Sequence, residues 1–189
     1  DTGGNTKVAT ATGTITASLQ AANFYVMPGG NLLGMNLQPT YPSWSDILAQ
    51  EITTSVLDSS FVAGVTLAST TTSAATAAGA TTVTVASVTN LAVNDGIKIG
   101  SESRRIASIS STTLTLNRAL SSAHSSGVTV AEYVSLANLT KAVFYFTGGS
   151  ASTGTWQTYT PSVAVDTLTL AKQGRAYWLF LEDDAFKTS

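Results

Sequence analysis

Residues 7–19 alternate between two kinds of side chain with a period of two. Val8, Thr10, Thr12, Thr14, Thr16 and Ser18 fall on one side; Ala9, Ala11, Gly13, Ile15, Ala17 and Leu19 fall on the other. A β-strand sends successive side chains to opposite faces, whereas a helix would mix the two sets around its surface. The segment therefore reads as a long strand with a hydroxyl face and a small apolar face. After Lys7 it carries no charge, and a long uncharged strand at a sheet edge is a template for pairing with another chain.

Shorter strand signals fill the remainder. Phe24–Met27 and Leu32–Leu37 are two strand candidates, with Pro28-Gly29-Gly30-Asn31 between them as a turn. Ser43-Trp44-Ser45-Asp46 has the spacing of a capping box and opens one short helix through Ile47, Leu48, Ile52 and Val56. Residues 69–78 are a Thr, Ser and Ala run that reads as a linker. From Gly79 to Val130, short alternating segments are punctuated by Asn94-Asp95-Gly96, Gly100-Ser101 and Ser110-Ser111, a rhythm that suits a small barrel or sandwich. Lys141–Phe146, Trp156–Tyr159, Thr167–Leu170 and Arg175–Leu181 complete the strands. The expected fold is all-β: a sandwich- or barrel-like domain with one short helix and a small inserted barrel-like module. Residues 1–19 form the N-terminal strand, 20–68 with 133–189 the main β domain, and 69–132 the linker and inserted module.

Charge narrows the function. Only 11% of the 189 residues are charged, against about 25% in ordinary soluble domains. The net charge is −2, and Arg104-Arg105 is the only adjacent basic pair, so nothing resembles a phosphate-binding stripe and nucleic acid is not an expected partner. No apolar run approaches the ~18–20 residues of a helical membrane span. With no cysteine, disulfide frameworks and thiolate metal sites are excluded. A surface of short uncharged side chains suits packing against copies of itself or exposure outside a cell. The chain opens on Asp1 rather than Met, as it would after removal of a leader or after trimming; the extracellular look of the composition favours a removed export signal as the expectation.

No catalytic, cofactor-binding or metal-binding residue emerges. His124 is the only histidine and sits in a Ser-rich loop, without the partners a triad needs. Glu182-Asp183-Asp184 lacks the alternate spacing of a calcium loop and reads as a solvated strand end. Asp95 and Asp166 fall in turns, where a carboxylate bonds local backbone. Trp44, Trp156 and Trp178, with Tyr41, Tyr159 and Tyr177, suit core and interface anchoring better than a sugar platform. Asn138-Leu139-Thr140 is a sequon that makes Asn138 a possible glycosylation site.

Two separated stretches look like one pattern. Gly30-Asn31-Leu32-Leu33-Gly34-Met35-Asn36-Leu37-Gln38-Pro39 is the first. The second is Trp156-Gln157-Thr158-Tyr159-Thr160-Pro161, continued by Leu168-Thr169-Leu170 and Gly174-Arg175-Ala176-Tyr177-Trp178-Leu179. Together they resemble a β-rich module repeated in bacterial and archaeal secreted and surface proteins. That resemblance implies an opening strand, a helix and a closing strand pair packed into one domain. Residues 79–130 interrupt the pattern and separately resemble a small β-module common in phage virion and bacterial surface proteins, in which His124 matches a recurrent His. Neither resemblance implies catalysis or a cofactor.

These features point to a non-enzymatic structural subunit whose partners are copies of itself, outside the cell, in a filament or surface layer. Strand addition would run through Val8, Thr10, Thr12, Thr14, Ile15, Thr16 and Leu19 at the subunit interface. The alternatives are a phage virion protein, as capsid decoration or tail subunit, and a carbohydrate-binding surface module.

Overall fold

The computed structural model describes residues 11–16, 21–26, 28–35, 38–52, 54, 57–148, 153–161 and 166–186, of which 11–16, 21–26 and 183 are described as backbone. The chain is all-β, with twelve strands among these residues. It divides into two compact units, residues 1–64 with 136–189 and residues 65–135.

The first unit holds two sheets. β1 (Ala11–Thr16) and β2 (Ala21–Val26) form a two-stranded antiparallel ribbon with Ala11 opposite Val26 and Thr16 opposite Ala21. β3 (Gly29–Gly34), β10 (Thr140–Phe146), β11 (Trp156–Tyr159) and β12 (Ala176–Leu181) form an antiparallel sheet in the order β11-β10-β12-β3. Gly30–Gly34 of the first stretch and Trp156–Tyr159 and Ala176–Leu179 of the second, far apart in sequence, thus lie in one sheet, with Leu33 opposite Tyr177 and Leu32 opposite Trp178. Residues 29–31 belong to β3 instead of forming the expected turn. Gly30 has a physical reason to be a strand glycine: a Cβ there would lie 3.2 Å from the Phe180 ring, which covers the backbone at that point.

One face of this sheet meets the core. Val143, Tyr177, Leu179 and Leu181 are fully or almost fully buried, together with Trp44, Ile47, Leu48, Leu57, Leu136, Leu139 and Phe186. Trp44 packs edge-on against Tyr177, with ring centroids 4.9 Å apart. Trp44 opens α1 (Trp44–Leu48), capped as expected: Ser43 Oγ accepts the Asp46 N–H at 3.1 Å and donates to Asp46 Oδ2 at 2.6 Å. The helix ends at Leu48, short of Ile52, although Ile52 remains buried in irregular chain; Val56 lies outside the described residues.

The expectation of a single short helix is corrected. α2 (Ser59–Gly64), α3 (Leu136–Leu139) and a 3-10 turn at Asp183–Ala185 are also present. These pieces are four to six residues or fewer, too short to show a 3.6-residue period against a β-rich background. Thr167–Leu170 is not a strand either; Leu170 makes one bridge, to Ser43, and Leu168 drops into the core.

The second unit is built from β4 (Ser69–Thr71), β5 (Thr82–Thr84), β6 (Gly96–Ile99), β7 (Glu102–Ser110), β8 (Thr113–Leu116) and β9 (Thr129–Glu132), in the order β4-β9-β6-β7-β8-β5. The sheet curls until its outer strands meet, through the Thr72–Val85 bridge and the flanking bonds Ser73 N to Thr84 O and Ala86 N to Thr71 O, each 2.9 Å. Val83, Val85, Ile97, Ile99, Ile106, Leu114 and Val130 fill the interior and are almost completely buried. Outward positions on the same strands are chiefly Thr, Ser, Lys98 and Arg105, with Ala131 among them, the alternation expected of a small barrel wall.

Candidate interaction surface

Among the described residues, nothing covers the second face of the four-stranded sheet. Alternation along β12 buries Tyr177, Leu179 and Leu181 and leaves Ala176, Trp178 and Phe180 exposed. Register then fixes what stands beside them. Phe144 on β10 is opposite Trp178 and also opposite Thr158 on β11; Leu32 on β3 is opposite Trp178 from the other side; Phe146 is opposite Trp156. The rings touch in a continuous chain. Phe146 lies 5.1 Å from Trp156, Trp156 6.4 Å from Phe144, Phe144 5.5 Å from Phe180, and Phe180 6.5 Å from Trp178, centroid to centroid. Leu32 is 59% exposed, Trp156 56%, Trp178 43% and Phe180 38%.

The positions that the register places on this face carry no charge; the nearest is Lys141, exposed at the β10 bulge and paired with Glu182 at 3.0 Å. The face's members on the four strands are Gly, Ala, Leu, Phe and Trp, with Thr158 the one polar side chain. The aromatic set named from sequence is therefore split. Trp44, Tyr159 and Tyr177 are core; Trp156, Trp178 and Tyr41 are exposed. Sequence reasoning had the signal for this division in Tyr177-Trp178-Leu179-Phe180, a run in which both alternating sets are large and apolar. Such a run calls for cover on both sides, and the described residues supply it on one.

On the covered side, a cleft of about 270 Å³ opens beside Tyr145, Gln157, Thr169, Lys172 and Arg175. The Arg175 guanidinium lies over the Tyr145 ring at 4.5 Å. The Lys172 N–H donates to Tyr177 Oη at 2.8 Å, so the phenol that anchors the core also holds this loop.

Of the N-terminal residues singled out from sequence, Thr12, Thr14, Ile15 and Thr16 are in β1, and one edge of that strand is already paired with β2. Val8, Thr10 and Leu19 lie outside the described residues. Asn138 is exposed on α3, while the sequon hydroxyl, Thr140 Oγ1, is buried and donates to the Leu136 carbonyl at 2.8 Å.

His124 belongs to a structural clasp in the second unit. Its Nε2 lies 3.1 Å from Glu102 Oε1, and the same carboxylate accepts the Ser121 and Ser122 N–H groups, each at 2.8 Å, and pairs with the Arg104 guanidinium. The Ser121 N–H foremost, with Ser122, His124 and Arg104, holds the Glu102 carboxyl down at about 2 against the opposing effect of burial. Arg104 is itself buried and donates from Nε and Nη2 to the Ala119 carbonyl. Gly100, at φ +60, carries the turn under the imidazole, 3.5 Å from where its Cβ would be. The clasp ties the 119–124 loop to β7. Sequence patterning placed His124 in its loop but had no means of pairing it with Glu102, 22 residues away.

The other carboxylates serve locally. Asp95 Oδ2 accepts the Ala92 N–H at 2.6 Å, Asp166 Oδ1 accepts the Thr160 N–H at 2.8 Å, and Glu182 pairs with Lys141 at 3.0 Å. Among the described residues, no three His, Asp or Glu side chains gather in a way that could hold a metal ion, and no helix is long and apolar enough to cross a membrane. No known family model matches the chain, no curated protein matches it and no solved structure matches it.

Proposed function

We propose that the chain is a non-enzymatic structural subunit that assembles with copies of itself outside the cell, in a filament or surface layer. The carrying observation is the ring-lined face of the four-stranded sheet. Its four most exposed members present on the order of 400 Å² of apolar surface, a size that in soluble proteins often marks an interaction site. Charge is too sparse across the chain to oppose close approach of copies. The N-terminal strand supplies the second contact. β1 has β2 on one edge, and in this proposal its other edge adds a strand from a neighbouring subunit through main-chain hydrogen bonds.

Electron microscopy and light scattering at rising protein concentration test the proposal. Ordered polymers that disappear on deletion of residues 1–19 are the expected result. A folded monomer at every concentration overturns it. Where the subunit lives is a separate question: a precursor carrying an export signal supports the cell surface, and a genomic neighbourhood of capsid genes supports the virion alternative.

Trp156 and Trp178 also favour a second reading, a carbohydrate-binding surface, since exposed indoles stack on sugar rings. Beside the two indole N–H donors the face offers only the Thr158 hydroxyl, and sugar hydroxyls desolvated without partners are costly. Glycan-dependent quenching of tryptophan fluorescence in the monomer would turn the assignment to sugar binding.

A further inference from the structure

We propose that the cleft on the covered side of the four-stranded sheet binds a uronic acid, a sugar ring whose carboxylate is held by Arg175 and Lys172. The site lies across the sheet from the ring-lined face and needs no second copy, so it stands apart from self-assembly.

Arg175 is the only arginine of the first unit and, among the described residues, makes no ion pair. It is nevertheless held in place. Its guanidinium lies over the Tyr145 ring at 4.5 Å, that ring rests against Tyr177 at 5.3 Å, and Tyr177 rests against Trp44 at 4.9 Å. A half-buried guanidinium at the end of an aromatic row rooted in the core has its planar fork pre-organised and its charge unspent. Lys172 lines the same cleft and also makes no ion pair among the described residues.

Nothing acidic compensates these two cations. Among the described residues no carboxylate lines the cleft, and Asp166, beside Thr167, is spent on the Thr160 N–H at 2.8 Å. The neighbouring segments 149–152 and 162–165 contain no acidic residue. Two of the nine cations in a sparsely charged chain therefore share one cleft without a counter-charge. The fitting ligand is an anion, and the ammonium group of a zwitterion would meet only like charge there.

The backbone decides which anion. Phosphate is commonly gripped by main-chain N–H groups at loops and helix ends. Here those groups are already used. The Thr167 and Leu168 N–H groups donate to the Thr158 carbonyl at 3.1 and 3.0 Å, Ala171 to the Pro42 carbonyl at 2.7 Å, Lys172 to Tyr177 Oη at 2.8 Å and Gly174 to the Met35 carbonyl at 2.7 Å. These bonds fix residues 167–174 as a wall and leave recognition to side chains. A planar guanidinium fork matches a planar carboxylate with two parallel hydrogen bonds.

The remaining lining suits a polyol. Gln157 stands opposite Tyr145 in the register of β10 and β11, and with Thr169 it lines the cleft. An amide and a hydroxyl both donate and accept, as sugar hydroxyls require. The volume of about 270 Å³ is just below the roughly 300–1,000 Å³ of sites for drug-sized ligands, which leaves room for one sugar residue.

Titration calorimetry of the full-length chain with D-glucuronate tests the assignment. A dissociation constant on the order of 1 mM is expected for so small a ligand. D-glucose lacks the carboxylate and acetate lacks the ring; each should bind about tenfold more weakly or worse, and so should inorganic phosphate. Arg175→Lys keeps the charge, loses the fork and should weaken glucuronate about tenfold. Lys172 is exposed, so Lys172→Ala spares the fold and should weaken binding severalfold even if Arg175→Lys disturbs the Tyr145 stack. Trp156→Ser with Trp178→Ser, on the other face, should bind as the wild type does. A second readout locates the ligand: saturating glucuronate should slow chemical acetylation of Lys172, followed by mass spectrometry, and leave Lys98 in the second unit unaffected. Several results overturn the proposal: no glucuronate binding, glucose, acetate or phosphate bound as tightly, affinity indifferent to both Lys172→Ala and Arg175→Lys, or affinity lost with the two tryptophans.

Discussion

The two large sheets are written in the same two-residue alternation and end in opposite conditions. In the second unit, β8 reads Thr-Leu-Thr-Leu and β6 Gly-Ile-Lys-Ile; the leucines and isoleucines are buried inside a sheet that curls onto itself, and threonine and lysine meet water. In the first unit, β12 reads Ala-Tyr-Trp-Leu-Phe-Leu, and the set facing away from the core is as apolar as the set facing it. One sheet is self-sufficient. The other, among the described residues, leaves one apolar face exposed. The difference lies wholly in the outward residues, which are where a monomer and an assembling subunit should diverge.

Adjacent residues on β12 sharpen that contrast most. Tyr177 is fully buried against Trp44 and holds the Lys172 N–H, so Tyr177→Ala should destabilise the first unit by about 4 kcal/mol. Trp178→Ala, one residue on, should change monomer stability by less than about 1 kcal/mol, since it lines no filled core. All three tryptophans are in the first unit, so denaturant titration followed by tryptophan fluorescence reads both variants. Equal losses at the two positions would mean that the outer face is covered within the monomer.

The second unit should fail in its own way. Removing Glu102 leaves Arg104 buried without its carboxylate and frees the Ser121 and Ser122 N–H groups. Glu102→Ala should cost about 3 kcal/mol, read as faster amide exchange in β7 and the 119–124 loop with the tryptophan transition unmoved. The pH dependence follows in sign. The folded carboxyl is held at about 2, below its ordinary 4.5, so its stabilisation is complete above about pH 4.5 and is lost as pH falls toward 2. Acid should therefore raise exchange in this unit, and Glu102→Gln should flatten that response. An acid response unchanged in Glu102→Gln would place the titrating group elsewhere.

How much of this was legible without coordinates depends on the range of the interaction. Ser43 and Asp46 are three residues apart, and their cap was readable from spacing alone. The same holds for Asn94-Asp95-Gly96, where Asp95 bonds the Ala92 N–H. Alternation located β10, β11 and β12 to within a residue. What could not be read were pairings between distant strands: that Leu32 stands beside Trp178, 146 residues on, or that Phe180 roofs Gly30 and so draws the expected turn into β3. The exposed aromatic face depends on such pairings. Alternation shows that two sets of residues part company, but which set finds a core is decided by packing.

Smaller effects probe the covered side of the sheet. Trp44 Nε1 is buried and, among the described residues, has no hydrogen-bond partner, a feature with a cost of its own. Trp44→Phe gives up ring area but also removes that N–H, so it should cost about 1 kcal/mol, well below the roughly 4 kcal/mol of Trp44→Ala. A Phe variant as damaged as Ala would show that the indole nitrogen is satisfied in solution. Ser43→Ala removes the acceptor for the Asp46 N–H at the start of α1 and should cost about 1 kcal/mol. Its effect should stay on the covered side: Ser43 bridges Leu170, and Trp44 N bonds the Thr169 carbonyl at 3.1 Å, whereas the ring-lined face takes nothing from α1. The variant should therefore shift the denaturant midpoint slightly and leave the concentration at which polymers form unchanged. A matching shift in assembly would mean that the two faces of the sheet are coupled through β12, and that the outer face depends on the core beneath it as well as on its own rings.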